Sequence, residues 1–347
     1  MGVIYKKLWL DPRCTALPLD RYGPFVNLRG GDLMTFDDNA TAVSEDDGRT
    51  WSAPRKMHRG RGPGVPCKGG VAVRTRKGVL VYVYMDMGTF KFTWNKKRAE
   101  AGPDCRLDVW SIRSLDGGRT WCDRTCLMRG YCGALLSILE TSSGEIVVPL
   151  ECLIANPSRH ATQVYVSADA GQSWRPSNLI DLGGHGHHDG GTEPVAVELK
   201  DGRLWMLIRT NLDRFWEAFS SDKGYSWRVI QPTNIDASSS PAAIARLASG
   251  RLALAWNRLY PEGKRRYPRR GGDCQLSATK ASWQREELSL TFSDDDGKSW
   301  SKPTVIARLK NAWLSYPLIL ERRPGELWVT TLYRETIAIS VCERDFV

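Results

Sequence analysis

Residues 220–227 read SSDKGYSW, and the pattern in this short stretch is the clearest indication of the fold of the chain. Reduced to its spaced residues, it is Ser-x-Asp-x-Gly-x-x-Trp. An aspartate side chain accepts backbone N–H groups in a tight turn, a glycine adopts the positive φ that such a turn requires, and a tryptophan ring packs into the adjacent sheet. The stretch therefore predicts a turn between two strands, with a structural role for its four defining residues.

The turn pattern is repeated along the chain. Its five copies span residues 44–51, 114–121, 167–174, 220–227 and 293–300. A second repeat consists of an apolar strand, a turn with glycine and another apolar strand, and its six copies begin at Gly23, Gly69, Gly133, Glu193, Ser240 and Tyr316. Repetition of this kind indicates an array of equivalent units, each built around one hairpin. We predict six such units.

Together the two repeats cover nearly the whole chain, and they resemble the Asp-box, or BNR-repeat, proteins of the sialidase (neuraminidase) superfamily. The resemblance implies an all-β fold, a six-bladed β-propeller with Asp-box hairpins, in which each blade is a four-stranded antiparallel sheet. We expect residues 1–347 to form a single domain of this kind. Because a terminal strand commonly completes the last blade of a propeller, we expect Val3–Leu10 to pair with Glu335–Val347 and close the ring.

The composition argues against several classes of protein. No apolar run approaches the ~20 residues of a membrane span, and the apolar cluster Leu8–Leu10 does not support a signal peptide, so we expect a cytoplasmic protein with no membrane partner. Nine cysteines without a C-x-x-C pair indicate mostly buried free thiols in a reducing compartment. A metal site built from His187, His188 and Asp189 is an alternative, but we expect no metal and no cofactor.

The net charge of +10 is concentrated in loops, above all in Arg55–Arg61 and Gly263–Asp273. Clustered basic residues attract phosphates, but the chain has no recognised nucleic-acid motif and no sheet face with aromatic residues for stacking bases. We therefore expect no nucleic-acid partner. A positive mouth that draws in an acidic sugar and simple solvation of the loops are both consistent with this charge.

The hairpin at residues 193–209, EPVAVELKDGRLWMLIR, carries the first candidate site residues. An antiparallel return brings the start of the first strand and the end of the second strand to the same edge of the sheet, so Glu193 and Arg209 should be neighbours. The same geometry places the ends of the other second strands at this edge, and with them Asp37, Asp38, Glu151 and Asn257. We take Glu151 and Asn257 as candidates for substrate binding.

The resemblance to sialidases assigns further roles. It implies that Tyr316 is the nucleophile and Glu193 the residue that activates it, with Arg21, Arg209 and Arg285 as the three arginines that bind the carboxylate of the sugar. Arginine binds a carboxylate through two parallel hydrogen bonds, and a neutral tyrosine escapes the repulsion that this carboxylate exerts on an anionic nucleophile. The chain departs from the family pattern at two positions, since it has one extra residue between Arg21 and the following proline, and a proline directly after Tyr316.

The chain has no residue that matches the acid/base aspartate of sialidases. Sialidases supply an aspartate from the loop after the first Asp box, whereas residues 55–70 here, RKMHRGRGPGVPCKGG, contain neither aspartate nor glutamate. Asp37 or Asp38 is our candidate for the missing acid, and Asp86, at the end of the second strand of blade two, could also substitute for it. His187 and His188 carry imidazoles that titrate near neutrality, and they are candidates for substrate binding or for the acid/base role.

These observations predict an exo-glycoside hydrolase that removes a terminal acidic sugar, sialic acid or a related one, from a glycan substrate. Two alternatives stay open. One is a propeller hydrolase or lyase that acts on another acidic sugar with a histidine as acid/base. The other is a non-catalytic Asp-box propeller that binds a glycan or a protein.

Overall fold

In the computed structural model, which describes residues 7–37, 39–58, 69–333 and 335–347, the chain is almost entirely β-structure. Six antiparallel sheets form the blades of a propeller, and the first, inner strands of the six blades line one common cavity. The predicted all-β, six-bladed fold is confirmed. The single-turn 3₁₀ helices Met87–Thr89 and Glu343–Asp345 lie outside the blades. Among the described residues no helix is long and apolar enough to cross a membrane.

The strands follow one another outward in each blade. Blade one contains Phe25–Asn27, Leu33–Asp37, Ala40–Ser44 and Arg55–Lys56, and blade two contains Gly70–Arg74, Leu80–Met85, Val109–Ser114 and Cys122–Met128. Blade three contains Cys132–Ala134, Leu139–Glu140, Ile146–Ala155, Ser158–Ser167 and Arg175–Pro176, and blade four contains Thr192–Glu198, Leu204–Arg209, Arg214–Ser220 and Arg228–Asp236. Blade five contains Ala243–Arg246, Leu252–Trp256, Glu287–Ser293, Thr304–Arg308 and Trp9–Leu10, and blade six contains Leu318–Arg323, Glu326–Tyr333, Glu335–Cys342 and Cys14–Ala16.

Two small hairpins interrupt this plan. Trp94–Asn95 pairs with Glu100–Ala101 in the connection between the second and third strands of blade two. Arg269–Arg270 pairs with Ala281–Ser282 in the corresponding connection of blade five. Both insertions follow a second strand, so they extend the loops on the edge of the ring where the second strands end.

The second strand is the buried centre of a blade. In blades two, four and five every residue of this strand, including Leu204–Arg209, is buried. A strand with partners on both edges and further blades on both faces has no solvent side, so it reads as a nearly continuous apolar run. The hydrophobic core lies between adjacent blades, where for example Val147 and Val166 of blade three pack with Leu204 and Met206 of blade four. Burial of such side chains stabilises the ring by roughly 1.5–3 kcal/mol each.

The Asp boxes form the turns between the third and fourth strands. In blade four, Ser220 Oγ accepts a hydrogen bond from the backbone N–H of Gly224 at 2.8 Å, and the Asp222 carboxylate accepts one from the backbone N–H of Ser226 at 2.8 Å. Gly224 has φ +96°, and the Trp227 ring is 2% exposed. The other four boxes repeat these serine and aspartate hydrogen bonds. The predicted turn is therefore confirmed.

Acidification is expected to destabilise the propeller through these turns. Hydrogen bonds from Thr50 lower the pKa of Asp46 to about 2, and hydrogen bonds from Ser299 lower the pKa of Asp295 to about 2. A carboxyl group with a depressed folded pKa stabilises the fold above its unfolded pKa and loses that contribution as the pH falls through the folded value, here between about pH 4 and pH 2. Urea unfolding midpoints should fall across this window, and less steeply in the variant Asp295→Asn. An unchanged slope in that variant would contradict the assignment.

The N-terminal pairing differs from the prediction. Cys14–Ala16, rather than Val3–Leu10, pairs with Glu335–Cys342 and completes blade six. Trp9–Leu10 pairs instead with Thr304–Arg308 at the outer edge of blade five, and residues 3–6 lie outside the described residues. The chain makes a tight turn between these two short strands, closed by the backbone N–H of Cys14. Because of this turn, the segment joins blades five and six instead of serving blade six alone.

The cysteines follow the prediction only in part. The eight that the structure describes are free thiols, as expected. The prediction that most are buried is wrong, since Cys132 alone among these eight is fully buried and Cys122 is exposed. The other six described thiols are partly accessible.

Candidate active site

Two residues at the second-strand edge of the ring have an unusual backbone conformation. Glu193 has φ +46° and Tyr316 has φ +55°, in the left-handed region that residues with a side chain rarely adopt. In blade four the ladder pairs Thr192 with Arg209 and shifts its register before Val195, so Glu193 lies in an irregularity of the strand. Such conformations cost about 1–3 kcal/mol and are concentrated at functional sites. Both residues stand where an inner strand begins.

The centre of the candidate site is a hydrogen-bonded group of three side chains. The Tyr316 hydroxyl donates to Oε1 of Glu193 at 2.7 Å, and Nη1 of Arg209 donates to Oε2 of the same carboxylate. All three side chains are buried or nearly so. The predicted proximity of Glu193 and Arg209 is confirmed, and Tyr316 from blade six joins them across the axis.

Arg285 lies beside this group and is linked to it through Ser239. Ser239 Oγ accepts hydrogen bonds from Nε and Nη2 of Arg209 at 3.2 and 2.9 Å, and the Ser239 carbonyl accepts one from Nη2 of Arg285 at 2.8 Å. The Cζ atom of Arg285 lies 5.6 Å from the centre of the Tyr316 ring. Residues from blades four, five and six therefore converge on one basin. Ser239 carries no sequence signal that singles it out, because it is one of three consecutive serines.

Burial and mutual charge set the protonation of the group. Burial and then the neighbouring Glu193 carboxylate raise the pKa of Tyr316 to about 12, against the opposing effect of Arg209 and Arg285. Burial lowers the pKa of Arg285 to about 10, and the nearby Arg209 cation acts in the same direction. Burial alone would lower the pKa of Arg209 too, but the adjoining Glu193 holds it above its usual value. Tyr316 is thus neutral near pH 7, and both arginines are cationic.

Arg285 is a buried cation without a counterion. It is 2% exposed, and among the described residues no carboxylate pairs with it. Its Nε also lacks a hydrogen-bond partner. A buried charge that is neither paired nor fully hydrogen-bonded is strongly unfavourable. The arrangement is therefore suited to an anionic ligand that supplies the missing negative charge.

Aromatic rings enclose the arginine. The rings of Trp283 and Trp313 lie 4.9 and 4.7 Å from the Cζ atom of Arg285, within the range of cation–π contacts. His188 continues the aromatic surface, with its ring centre 5.8 Å from that of Trp283. The ring centre of His187 lies 4.5 Å from that of His188. Sequence reasoning missed both tryptophans, because they stand outside the Asp boxes in connections that carry no repeat.

Glu151 and Asn257 form hydrogen bonds that stabilise the backbone around the site. The Glu151 carboxylate accepts a hydrogen bond from the backbone N–H of Glu193 at 2.9 Å, so it fixes the strained start of the inner strand. Asn257 is fully buried, donates to the carbonyls of Glu287 and Leu314, and accepts from Ser240. Both N–H groups of its amide are engaged by backbone carbonyls and the side chain is fully buried, so the structure gives Asn257 a structural role in place of the predicted substrate binding.

The structure does not bring Arg21 into the arginine group. Its guanidinium lies 3.9 Å from Asp37 and 5.0 Å from the centre of the Trp51 ring. The side chain that turns toward the site is the next one, Tyr22, whose hydroxyl donates to the carbonyl of Tyr316 at 2.7 Å. The extra residue before the proline shifts the motif by one position, so Tyr22 rather than Arg21 contacts the site. Burial raises the pKa of Tyr22 far above its usual value, so it remains a donor.

Asp37, one of the two proposed acids, has no described contact with the group of Tyr316, Glu193 and Arg209. Asp37 is largely exposed, with 70% of its side chain accessible, and its ion pair among the described residues is the long contact to Arg21. Asp38 lies outside the described residues. Asp86, at the end of the second strand of blade two, accepts from the backbone N–H of Gly88 and contacts Arg124. No described contact joins Asp37 or Asp86 to Tyr316.

His187 and His188 lie in a loop that is held against the insertion of blade five. Their backbone N–H groups donate to the carbonyls of Gln275 and Leu276 at 2.9 and 2.7 Å. Nδ1 of His187 lies 3.0 Å from Nε2 of His160, a contact that the sequence did not suggest. Burial lowers the pKa of His187 to about 3 and the pKa of His188 to about 4, with nearby His160 and Arg209 acting in the same direction. Both imidazoles are therefore neutral near pH 7 in the unliganded protein.

A metal site is not supported. Among the described residues no group of three or more His, Cys, Asp or Glu side chains is arranged to hold a metal ion. Asp189, the third member of the alternative metal set, accepts the backbone N–H groups of Gly190 and His185 at 2.9 and 3.3 Å. Its carboxylate thus stabilises the loop that carries the histidines.

An axial cavity of about 630 Å³ runs along the centre of the ring. It is lined mainly by aliphatic side chains and backbone of the inner strands, among them Val71, Val197, Ala245 and Ile319. Tyr316, Arg209 and Arg285 do not line this cavity. The cavity reflects the closure of the propeller, and it is not the space that Tyr316, Glu193, Arg209 and Arg285 surround.

Comparison with known proteins agrees with this architecture. Residues 39–329 match the sequence profile of the BNR repeat-like domain. Comparison with curated proteins finds no significant match. Among solved structures, a protein of unknown function from Dyadobacter fermentans DSM 18053 is similar with a TM-score of 0.62 at 14% identity, covering 97% of this chain and 98% of that one.

Two sialidase structures are similar to the same degree. The Hadza microbial sialidase Hz136 has a TM-score of 0.62 at 16% identity, over 94% of this chain and 66% of its own. The NanB sialidase from Streptococcus pneumoniae has a TM-score of 0.60 at 14% identity, over 98% of this chain and 70% of its own. This chain therefore spans about two thirds of those sialidase chains. At such identities the likeness establishes the fold, and the site must be argued from its own residues.

Proposed function

The chain belongs to the family of BNR repeat-like domains, and from this premise we propose that it is an exo-acting glycoside hydrolase that removes a terminal carboxylated sugar, sialic acid or a related one, from a glycan. The observation that carries the proposal is the buried, unpaired guanidinium of Arg285 beside the Tyr316–Glu193–Arg209 group. A sugar carboxylate is the anion that this position favours, because arginine forks bind carboxylates through paired, charge-assisted hydrogen bonds.

Tyr316 is the proposed nucleophile. Its hydroxyl already donates to Glu193, so the glutamate can take the proton as the tyrosine oxygen bonds to the anomeric carbon. A tyrosine with a pKa near 12 does not ionise by itself at neutral pH, and the hydrogen-bonded carboxylate supplies the base that it needs. A phenol that is neutral before attack also avoids repulsion by the sugar carboxylate next to the reacting carbon. Arg209 holds the Glu193 carboxylate in the orientation that makes this transfer possible.

The names of two structural neighbours agree with this proposal. Both the microbial Hz136 protein and the pneumococcal NanB protein are described as sialidases. This support is an analogy at the level of the fold, since propellers of one family host binding modules as well as enzymes. The class of sugar is therefore inferred from the arginines, and these favour any sugar that carries an anionic group.

A panel of aryl glycosides tests the proposal. Aryl glycosides of sialic acid, of a keto-deoxy sugar acid and of uronic acids are incubated with the protein, with an aryl galactoside as the neutral control. We expect release from at least one acidic member, none from the control, and a first product of retained anomeric configuration by proton NMR, because a tyrosine nucleophile inverts the centre twice. Binding of an acidic sugar without release from any member would instead support a non-catalytic propeller, and inversion would exclude Tyr316 as nucleophile.

A further inference from the structure

A continuous chain of short contacts leads from the proposed nucleophile to the partly exposed His187. The Tyr316 hydroxyl donates to Glu193, and the backbone N–H of Glu193 donates to Oε2 of Glu151 at 2.9 Å. The other oxygen of Glu151, Oε1, lies 2.7 Å from Nδ1 of His160. Nε2 of His160 then lies 3.0 Å from Nδ1 of His187. Glu151 and His160 are buried, whereas His187 is only partly so. The His187 ring centre lies 4.5 Å from that of His188, whose ring contacts the Trp283 ring beside Arg285.

The contacts hold the two imidazoles in place. Burial would raise the pKa of Glu151, but the adjoining His160 and the backbone N–H of Glu193 hold it below its usual value, so the carboxylate is ionised. Oε1 of this carboxylate lies 2.7 Å from Nδ1 of His160 and favours a proton on that nitrogen. The 3.0 Å contact between Nε2 of His160 and Nδ1 of His187 then leaves Nε2 as the ring nitrogen of His187 without a described hydrogen-bond partner.

Nε2 of His187 is available to a ligand. It has no hydrogen-bond partner among the described residues, and it is not among the buried polar atoms that lack one. The imidazole is held by stacking on the Phe92 ring, with the ring centres 4.4 Å apart, and by its edge-on contact with Tyr131. Phe92 belongs to the insertion of blade two, which packs beside the basin. The ring is thus oriented from both faces and anchored at Nδ1, while its second nitrogen is unused.

We propose that His187 is the acid/base residue of this site and that Glu151 and His160 are positioning residues that hold its ring in place. The assignment rests on the proposed function. It fills the place left by residues 55–70, which contain no acidic residue, and it displaces Asp37, which is exposed and makes no described contact with the nucleophile. A buried carboxylate that orients a histidine through its Nδ1 is a recurrent device for making the other ring nitrogen reactive.

The proposed reaction balances with these residues. As the Tyr316 oxygen bonds to the anomeric carbon, its proton passes to Glu193, and the glycosidic C–O bond breaks with its electron pair on the leaving oxygen. That oxygen takes the proton from Nε2 of the His187 imidazolium, and the alcohol departs. In the second half water attacks the anomeric carbon, its proton returns to Nε2 of His187, and the released tyrosine oxygen recovers its proton from Glu193. The sum is one glycoside plus one water giving one free sugar and one alcohol.

The surroundings of His187 set the direction of its pH dependence. Burial lowers the pKa of His187 to about 3, and the nearby His160 and His188 act in the same direction, while the Glu151 carboxylate opposes them. Tyr131, with its pKa raised to about 12 by burial, is neutral and contributes no charge. The acid form of His187 is therefore favoured at low pH, and kcat/KM should fall as the pH rises through a value below 6.5, the usual pKa of histidine.

The leaving-group dependence of the variant His187→Gln tests the proposal. Two glycosides of the sugar that the protein releases are compared, one with a nitrophenyl group that departs without protonation and one with an alkyl group that requires it. We expect the variant to lose at least ~100-fold in kcat on the alkyl glycoside and less than ~10-fold on the nitrophenyl glycoside, and to lose the alkaline limb of the pH profile. His185→Gln in the same loop is the control and should change neither rate.

The outcomes are distinct. Equal losses on the two substrates, or an alkaline limb that persists in His187→Gln, would overturn the assignment of His187 while leaving the proposed function intact. Absence of release from both substrates by the unmodified protein would remove the proposed function, and this assignment with it. A further variant, His160→Gln, should lower kcat on the alkyl glycoside, leave KM unchanged and shift the alkaline limb, whereas a purely structural role for His160 predicts no shift of that limb.

Discussion

Replacement of Tyr316 by phenylalanine is expected to reduce kcat for release of the acidic sugar by roughly 10³-fold or more, which corresponds to a loss of about 4 kcal/mol in transition-state stabilisation. The change removes one oxygen atom, the one that donates to Glu193 at 2.7 Å. The ring remains, so its packing beside Arg285 should persist and the variant should still bind the product sugar. Steady-state kinetics and calorimetric binding of the product, measured side by side, check both parts of this expectation.

Tyr225→Phe is the matched control for this variant. Tyr225 lies in the Asp box of blade four, which follows Ser220 at the edge of the blade opposite Arg209. Loss of its hydroxyl should leave kcat within about two-fold, as is usual for substitutions away from the functional site. A Tyr316→Phe variant that keeps more than a tenth of the original kcat would exclude the tyrosine as nucleophile and favour direct attack by water.

Replacement of Glu193 by alanine is expected to lower the free energy of unfolding by about 3–5 kcal/mol, in addition to abolishing activity. Arg209 is 3% exposed, and Glu193 is the carboxylate that binds its Nη1. Without that partner the buried guanidinium keeps only the weak hydrogen bonds to Ser239, and nothing compensates for the loss of its hydration. Guanidinium-chloride unfolding of the two proteins measures the difference directly.

The control for this stability effect is a pair of the same chemistry at the surface. Arg203 and Asp201 form an ion pair in which about half of each side chain is exposed. Asp201→Ala should therefore cost only about 0–1 kcal/mol. Glu193→Gln, which keeps the shape of the side chain, should fold and still be inactive. A cost for Glu193→Ala as small as that of Asp201→Ala would show that Arg209 is not held by the glutamate.

The sequence predicted correctly those parts of the fold that are formed by residues close together in the chain. The Asp-box turns and the hairpins specify each blade locally, and the antiparallel return alone places Glu193 beside Arg209. Tyr316 and Arg285 were identified by resemblance to a family pattern at the entrances of blades six and five. Contact of the four side chains follows from closure of the ring, which the number of repeats indicated.

The sequence was uninformative where contacts cross from one blade to another through loops. His160 contacts His187 because the loop that carries His187, before blade four, packs on the insertion of blade five. Trp283 and Trp313 lie in connections whose conformation no repeat specifies, and they approach Arg285 only in the closed ring. Arg21 shows the limit of matching a motif that has one extra residue, since the insertion turns Tyr22 toward the site in its place.

Covalent labelling identifies the proposed nucleophile directly. The protein is incubated with a fluorinated glycosyl fluoride of the acidic sugar that it releases, digested and analysed by mass spectrometry. We expect one added sugar, on the peptide that contains Tyr316, and no label in the variant Tyr316→Phe, because the fluorine slows hydrolysis of the glycosyl-enzyme that this residue forms. A label on a different residue, or turnover of the natural glycoside by a protein that never becomes labelled, would contradict the claim that Tyr316, Glu193, Arg209 and Arg285 form the catalytic centre.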